Sequence, residues 1–172
     1  MANGKVLIVG DDSRSFLTIV RSLGRKGISI HVAPFDFTAV ALKSRYISRI
    51  HNLPYHLGDG SAWKSAYREL LDAEAFDLVI PVDERSLLPF DAHRNHFEAD
   101  HKIAIPSRKA IDILYDKHLT RKLANSLDIP VAAGRPADNF ADAKAIAEEY
   151  GFPIAIKPRR SYSLEQLHAR GE

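Results

Sequence analysis

The sequence predicts an α/β chain: an open parallel sheet of about five strands with helices on both faces, followed by a partial α+β subdomain. Three observations carry this expectation. Short apolar, β-rich runs alternate with stretches of helical spacing. The first three elements, within residues 6–33, fit a strand–helix–strand unit whose crossover is right-handed. The length, 172 residues, holds one domain and part of a second at roughly 100–200 residues per domain.

Val6-Leu7-Ile8-Val9 is a continuous apolar run closed by Gly10, as a doubly covered strand requires. Phe16, Ile19, Val20 and Leu23 then recur on one helix face, with Asp12 or Ser13 placed to cap it and Gly27 beyond its end. Ile28 to Ala33 is the second strand and Tyr46 to Leu53 a short third one, stopped at Pro54. Trp63, Ala66, Tyr67 and Leu70 mark a helix after Ser61. Phe76 to Val82 is the fourth strand and Ile103 to Ile105 the fifth, ended by Pro106. Between them, Arg85 to Asp100 reads as helix, with Pro89 acceptable only near its first turn.

After residue 106 the texture changes. Ser107 to Leu114 and Asp116 to Leu127 are successive helices, and Val131 to Arg135 is a brief strand. Asn139 caps a helix through Phe140, Ala143, Ala147 and Tyr150, Gly151 ends it, and Phe152 to Ile156 is a strand. The organisation expected is residues 1–106 as one domain and 107–172 as the first part of another.

Composition narrows the function. Lysine and arginine total 24 against 22 acidic residues, a net charge of +2, which argues against a nucleic-acid partner. No segment reaches the roughly 18 consecutive apolar residues of a membrane span, so no membrane partner is expected. There is no cysteine, which excludes thiol catalysis and disulfide scaffolds. Absence of a leader-like segment makes the cytoplasm the expected location.

Ligands of open parallel sheets bind beyond the strands' carboxyl ends. Those ends carry Asp11, Asp12, Asp83 and Glu84, candidates for a substrate contact or for loop structure. The first loop is not a dinucleotide fingerprint, because Gly, Asp and Ser stand at positions 10, 12 and 15. Its acidic pair, with Asp83 and Lys157-Pro158, has a receiver-like look, but the spacing is too long for so small a domain. His93, His96 and His101 with Asp91 and Glu98 read as a solvated face rather than a metal site, and no metal ligands are expected in this chain.

The second half is more specific. Tyr115-Asp116-Lys117-His118 opens a helix, Leu127-Asp128-Ile129-Pro130-Val131 follows, and after another helix comes Gly151-Phe152-Pro153-Ile154-Ala155-Ile156-Lys157-Pro158. In this order the motifs resemble the ATP-grasp superfamily, which includes carbamoyl-phosphate synthase and biotin carboxylase. The resemblance extends over the chain, with residues 1–106 similar to the Rossmann-like pre-ATP-grasp domain and 107–172 to the start of the ATP-grasp domain. It implies that Lys117, Lys157 and Arg159 contact nucleotide phosphates and that ATP and Mg²⁺ are the cofactors. It further implies an ATP-dependent carboxylate–amine ligase acting through an acyl phosphate, with a small carboxylate and an amine as partners. A lysine at a helix start opposes the helix dipole, so an anion there is a physical complement.

Where the family carries a glycine-rich phosphate loop, this sequence has Pro158-Arg159-Arg160-Ser161-Tyr162. The family's Mg²⁺-binding residues lie further along than Glu172. The expectation is therefore an amino-terminal portion of a longer ligase, truncated before its catalytic residues and inactive by itself. Apolar surface exposed on a shortened domain favours a homodimer. The alternative is a non-catalytic Rossmann-like module for ligand binding or dimerisation.

Overall fold

Four apolar residues in a row form a stable strand only if both faces are covered, and the computed structural model of the protein shows how. It describes residues 4–11, 14–97, 100–161 and 164. These form two compact units, the first running to Ile105 and the second Pro106–Ser161.

In the first unit, β1 (Lys5–Val9), β2 (Ser29–Ala33), β3 (Ile47–Ile50) and β4 (Leu78–Pro81) make one parallel sheet in the order β3-β2-β1-β4. Alternation along β1 divides its side chains between two cores. Val6 and Ile8, with Ile30 and Val32, pack against Phe16 and Val20 of α1 (Ser15–Gly24). Leu7 and Val9, with Ala33 and Val79, pack against Trp63, Tyr67 and Leu71 of α2 (Ser61–Glu74). Phe90 of α3 (Glu84–Ala92) and Phe97 of α4 (Arg94–Phe97) close the second core, and Trp63 meets both rings edge-on. Gly10 permits the turn after β1: its φ is +116°, and a Cβ there would lie 2.6 Å from Val82.

The sheet has four strands rather than five. Ile103 makes a single parallel bridge to Val79, through Val79 N–H to the Lys102 carbonyl and Ala104 N–H to the Val79 carbonyl, both 2.8 Å. Pro106 supplies no N–H with which to extend that ladder. The third strand is also shorter than the Tyr46–Leu53 expectation. Residues 84–97 are two helices, broken at His93, and Pro89 sits inside α3 rather than in its first turn. Pro89 withdraws one amide from α3, and its carbonyl still accepts from His93 N–H at 3.1 Å. The residue at the amino-terminal boundary of α1 is Arg14, without a side-chain cap, while Asp12 and Ser13 lie outside the described residues.

The second unit contains α5 (Arg108–Leu114), α6 (Lys117–Ser126) and α7 (Phe140–Tyr150), each started by a capping side chain: Ser107, Asp116 and Asn139. The strands expected at Val131–Arg135 and Phe152–Ile156 do not form. A strand exists only by pairing, and Gly134 and Pro153 fall inside these segments, with Pro136 and Pro158 just beyond them. Among the described residues no helix is long and apolar enough to cross a membrane.

Candidate functional site

At the carboxyl ends of the first unit's strands, Asp11 is buried and fully engaged. One oxygen accepts from the amides of Phe35 (2.8 Å) and Asp36 (2.5 Å), and the other accepts from Arg85 Nη2 at 2.6 Å. Asp83 caps α3 through Ser86 and takes the same guanidinium at 2.9 Å. Arg85 also lies over the Phe35 ring, 4.8 Å from its centroid, and Phe35 stacks on Tyr55. Burial works against the Arg85 charge, but Asp83 and then Asp11 outweigh it, so the guanidinium holds its proton more firmly than usual. The structure thus joins Asp11 to Asp83 through Arg85. Glu84 is the first residue of α3 and stands beside this knot rather than in it, and Asp12 lies outside the described residues. Sequence reading missed Arg85; a guanidinium two residues from a capping aspartate was the available signal.

The same unit holds two histidine pairs that the sequence did not reveal. His31 Nδ1 and His51 Nε2 are 2.9 Å apart, and His56 Nε2 and His93 Nε2 are 2.8 Å apart. Contact this close needs a proton on one facing nitrogen and a lone pair on the other, so in each pair one ring donates to its neighbour. Burial is the main cause that lowers His31, His51 and His93. Glu74 joins the first pair as a possible cation ligand set, its atom and theirs within 4.8 Å of one another. Lys5 (3.1 Å) and Arg49 (2.6 Å) already occupy that carboxylate. Two cations against one carboxylate disfavour a divalent ion, and the pair is read as a proton-sharing contact. The other histidine group does not assemble: His93 faces His56, His101 meets Asp72 at 3.1 Å, Asp91 pairs with Arg94, and Glu98 lies outside the described residues.

In the second unit, Lys117 is the first residue of α6. Its ammonium donates to the Pro158 carbonyl at 2.9 Å and to Ser161 Oγ at 2.8 Å, and its N–H donates to the Arg159 carbonyl at 3.0 Å. Arg159 Nε donates to Asp116 Oδ2 at 2.7 Å. Asp116 Oδ1 accepts from the amides of His118 (3.0 Å) and Leu119 (3.1 Å). Burial alone would raise the Asp116 carboxyl; the Leu119 amide, Arg159 and the His118 amide outweigh it and leave it below the ordinary carboxylate value. Lys157 does not end a strand. It lies outside regular secondary structure, exposed, with no ion pair or hydrogen bond among the described residues. Lys117 and Arg159 are therefore brought together, and Lys157 stands two residues before Arg159 in sequence. Asp116, which links them, carried no assigned role in the sequence reading.

Residues 116–163 match the family model described as the carbamoyl-phosphate synthase L chain, ATP binding domain. The chain is 27% identical over 164 residues to a formate-dependent phosphoribosylglycinamide formyltransferase of Acinetobacter baumannii, covering 92% of this chain and 37% of that protein. A pyruvate carboxylase of Aspergillus niger is 41% identical over 54 residues, 30% of this chain and 4% of its own length. In fold, the chain is similar to N5-carboxyaminoimidazole ribonucleotide synthetase from Thermus thermophilus, with TM-score 0.62 and 18% identity over 96% of this chain and 42% of that one. It is also similar to the biotin carboxylase domain of Hydrogenobacter thermophilus 2-oxoglutarate carboxylase, solved with MgADP and bicarbonate (TM-score 0.59, 16% identity, 89% of this chain and 34% of that one). The chain spans about a third of the length of the formyltransferase relatives it matches.

Proposed function

From the chain's kinship with the ATP-grasp enzymes, we propose that it is the amino-terminal portion of an ATP-dependent carboxylate–amine ligase. In this reading a carboxylate is activated as an acyl phosphate and an amine then displaces phosphate to form an amide. Residues 1–106 supply the Rossmann-like half and 107–172 the first nucleotide-contacting part. The observation that carries the reading is that the matched segment, 116–163, contains Lys117, Lys157 and Arg159. These cations fit a polyphosphate. Lys157 has no ion pair or hydrogen bond among the described residues, and Lys117 holds neutral oxygens that an anionic oxygen can replace. Charge neutralisation and positioning provide most of the catalysis in phosphoryl transfer. A bound Mg²⁺ would add further charge neutralisation to the phosphates that Lys117, Lys157 and Arg159 hold. By the family resemblance, the metal's own ligands lie beyond the matched segment. Asp11, Asp12, Asp83 and Glu84 are read as contacts to the other substrate or as loop structure, and the hold of Asp11 and Asp83 on Arg85 favours structure for those two. A cytoplasmic setting and no turnover by these 172 residues complete the reading.

Equilibrium dialysis of MgATP against the 172-residue chain tests it. Saturable binding is expected, weakened about tenfold or more by Lys157→Ala, the loss of one charge-assisted contact. Absence of saturable binding, or binding indifferent to Lys157→Ala, overturns the nucleotide site and leaves the module reading.

A further inference from the structure

We infer that Asp116 is a positioning residue that pre-places the Lys117 ammonium by anchoring residues 158–161 to the start of α6. The inference rests on the reading of Lys117 as a phosphate contact and adds how that contact is prepared.

The three helix caps of the second unit make the case. A helix start leaves unpaired amides, and Ser107 and Asn139 each satisfy one as a neutral side chain, accepting from the Ala110 and Asp142 amides. Asp116 caps α6 with Oδ1 in the same way, yet it is a carboxylate, and its side chain is 3% exposed. The charge is explained by the second oxygen, which accepts from Arg159 Nε, 43 residues away. A buried carboxylate needs such a partner, because desolvation without one is costly.

Arg159 is thereby held at two points by consecutive residues: its side chain by Asp116 and its carbonyl by the Lys117 N–H. That double hold orients the chain on either side of it, so the Pro158 carbonyl and the Ser161 hydroxyl both face Lys117 Nζ. An ammonium has three donors, and these two acceptors leave one for a ligand. Arg160 adds a longer approach to Asp116 at 3.9 Å and to Asp112 at 3.7 Å, which reinforces the same anchoring. A cation at the first residue of a helix opposes the dipole, and the adjacent Asp116 charge and the Pro158 carbonyl are what make the position tenable.

The test is timed acetylation of lysines in the 172-residue chain, read residue by residue by mass spectrometry, with Lys144 as the reference in the same unit. Lys117 is expected to react more slowly than Lys144, and Asp116→Asn and Arg159→Gln are each expected to raise its rate about threefold, the shift one modest hydrogen bond sustains. The double variant should do no more than either single one, since both break one contact. Helix content by circular dichroism accompanies each variant. If Asp116→Asn loses helix, Arg159→Gln decides, because it leaves the α6 cap intact. Lys117 reacting as fast as Lys144 in the unaltered chain, or unchanged by both substitutions, overturns the inference. Repeating the labelling with MgATP separates the two readings: protection of Lys157 supports the nucleotide site. If neither lysine is protected while the variants still release Lys117, the nucleotide reading fails and the anchoring stands.

Discussion

The two units of this chain are held together by different physics. The first builds two apolar cores on opposite faces of one sheet, with Leu7, Ile8, Phe16, Val20, Tyr67, Phe90 and Phe97 wholly or almost wholly buried. In the second, the buried residues among those described are Ile111, Asp116 and Ala147, while Phe140 (85%), Phe152 (82%) and Ile156 (79%) stand exposed. Its order comes from helix caps and from the contacts of Asp116, Lys117 and Arg159. Burial is strong and indifferent to chemistry, whereas polar anchoring is weaker but places charges at defined points. The apolar cores and the Asp116–Lys117–Arg159 cluster are thus in separate parts of the sequence.

The largest test of that contrast is Phe90→Ala, expected to cost about 3–5 kcal/mol in a denaturant melt of the first unit, against no measurable loss for Phe152→Ala. A similar cost for both would erase the distinction. Gly10→Ala follows, expected to cost at least about 1–3 kcal/mol because φ of +116° strains any side chain and the Cβ meets Val82. The midpoint of the same melt reads it. Asn139→Ala is smaller, about 1 kcal/mol of helix stability for a lost cap, visible as faster amide exchange in the first turn of α7. Glu149→Gln, which breaks an exposed pair with Arg135, should change stability by no more than about 0.5 kcal/mol.

Acid sharpens the comparison in a different way. His31, His51 and His93 are lowered from 6.5, chiefly by burial. Below pH 6.5 the unfolded chain therefore binds more protons than the folded one, and the first unit loses stability as pH falls through that window. The carboxyl of Asp116 is lowered from 3.8, so the stability it adds is complete above that value and is lost only as pH falls through its folded one. Amide exchange followed against pH should show the first unit loosening near neutral-to-mild acid and the His118 and Leu119 amides only in strong acid. A single shared transition would contradict the assignment of separate groups to separate units.

What was legible in the sequence was local. Phe16, Ile19, Val20 and Leu23 specify α1 by spacing alone, and Asn139 with Gly151 brackets α7 at the cap positions the structure shows. The fifth strand faded to one bridge because pairing is set by the partner as well as by the strand. The site was legible only as residue types. Asp11 meets Arg85 across 74 residues and His56 meets His93 across 37, distances at which a linear pattern carries no signal. Asp116 was visible as half of an Asp-Lys motif, but its second oxygen's partner appears only once the chain folds.

Neighbouring residues of β1 belong to different cores, Ile8 to one and Leu7 and Val9 to the other. A one-residue insertion or deletion within Lys5–Val9 would turn every following side chain of the strand to the opposite face and spoil both cores at once. The stretch between α6 and α7 faces no such constraint, since it carries no ladder and most of its residues are exposed. Over generations, changes in length should accumulate between α6 and α7 and be purged from β1, even where substitutions within β1 that keep its volume survive.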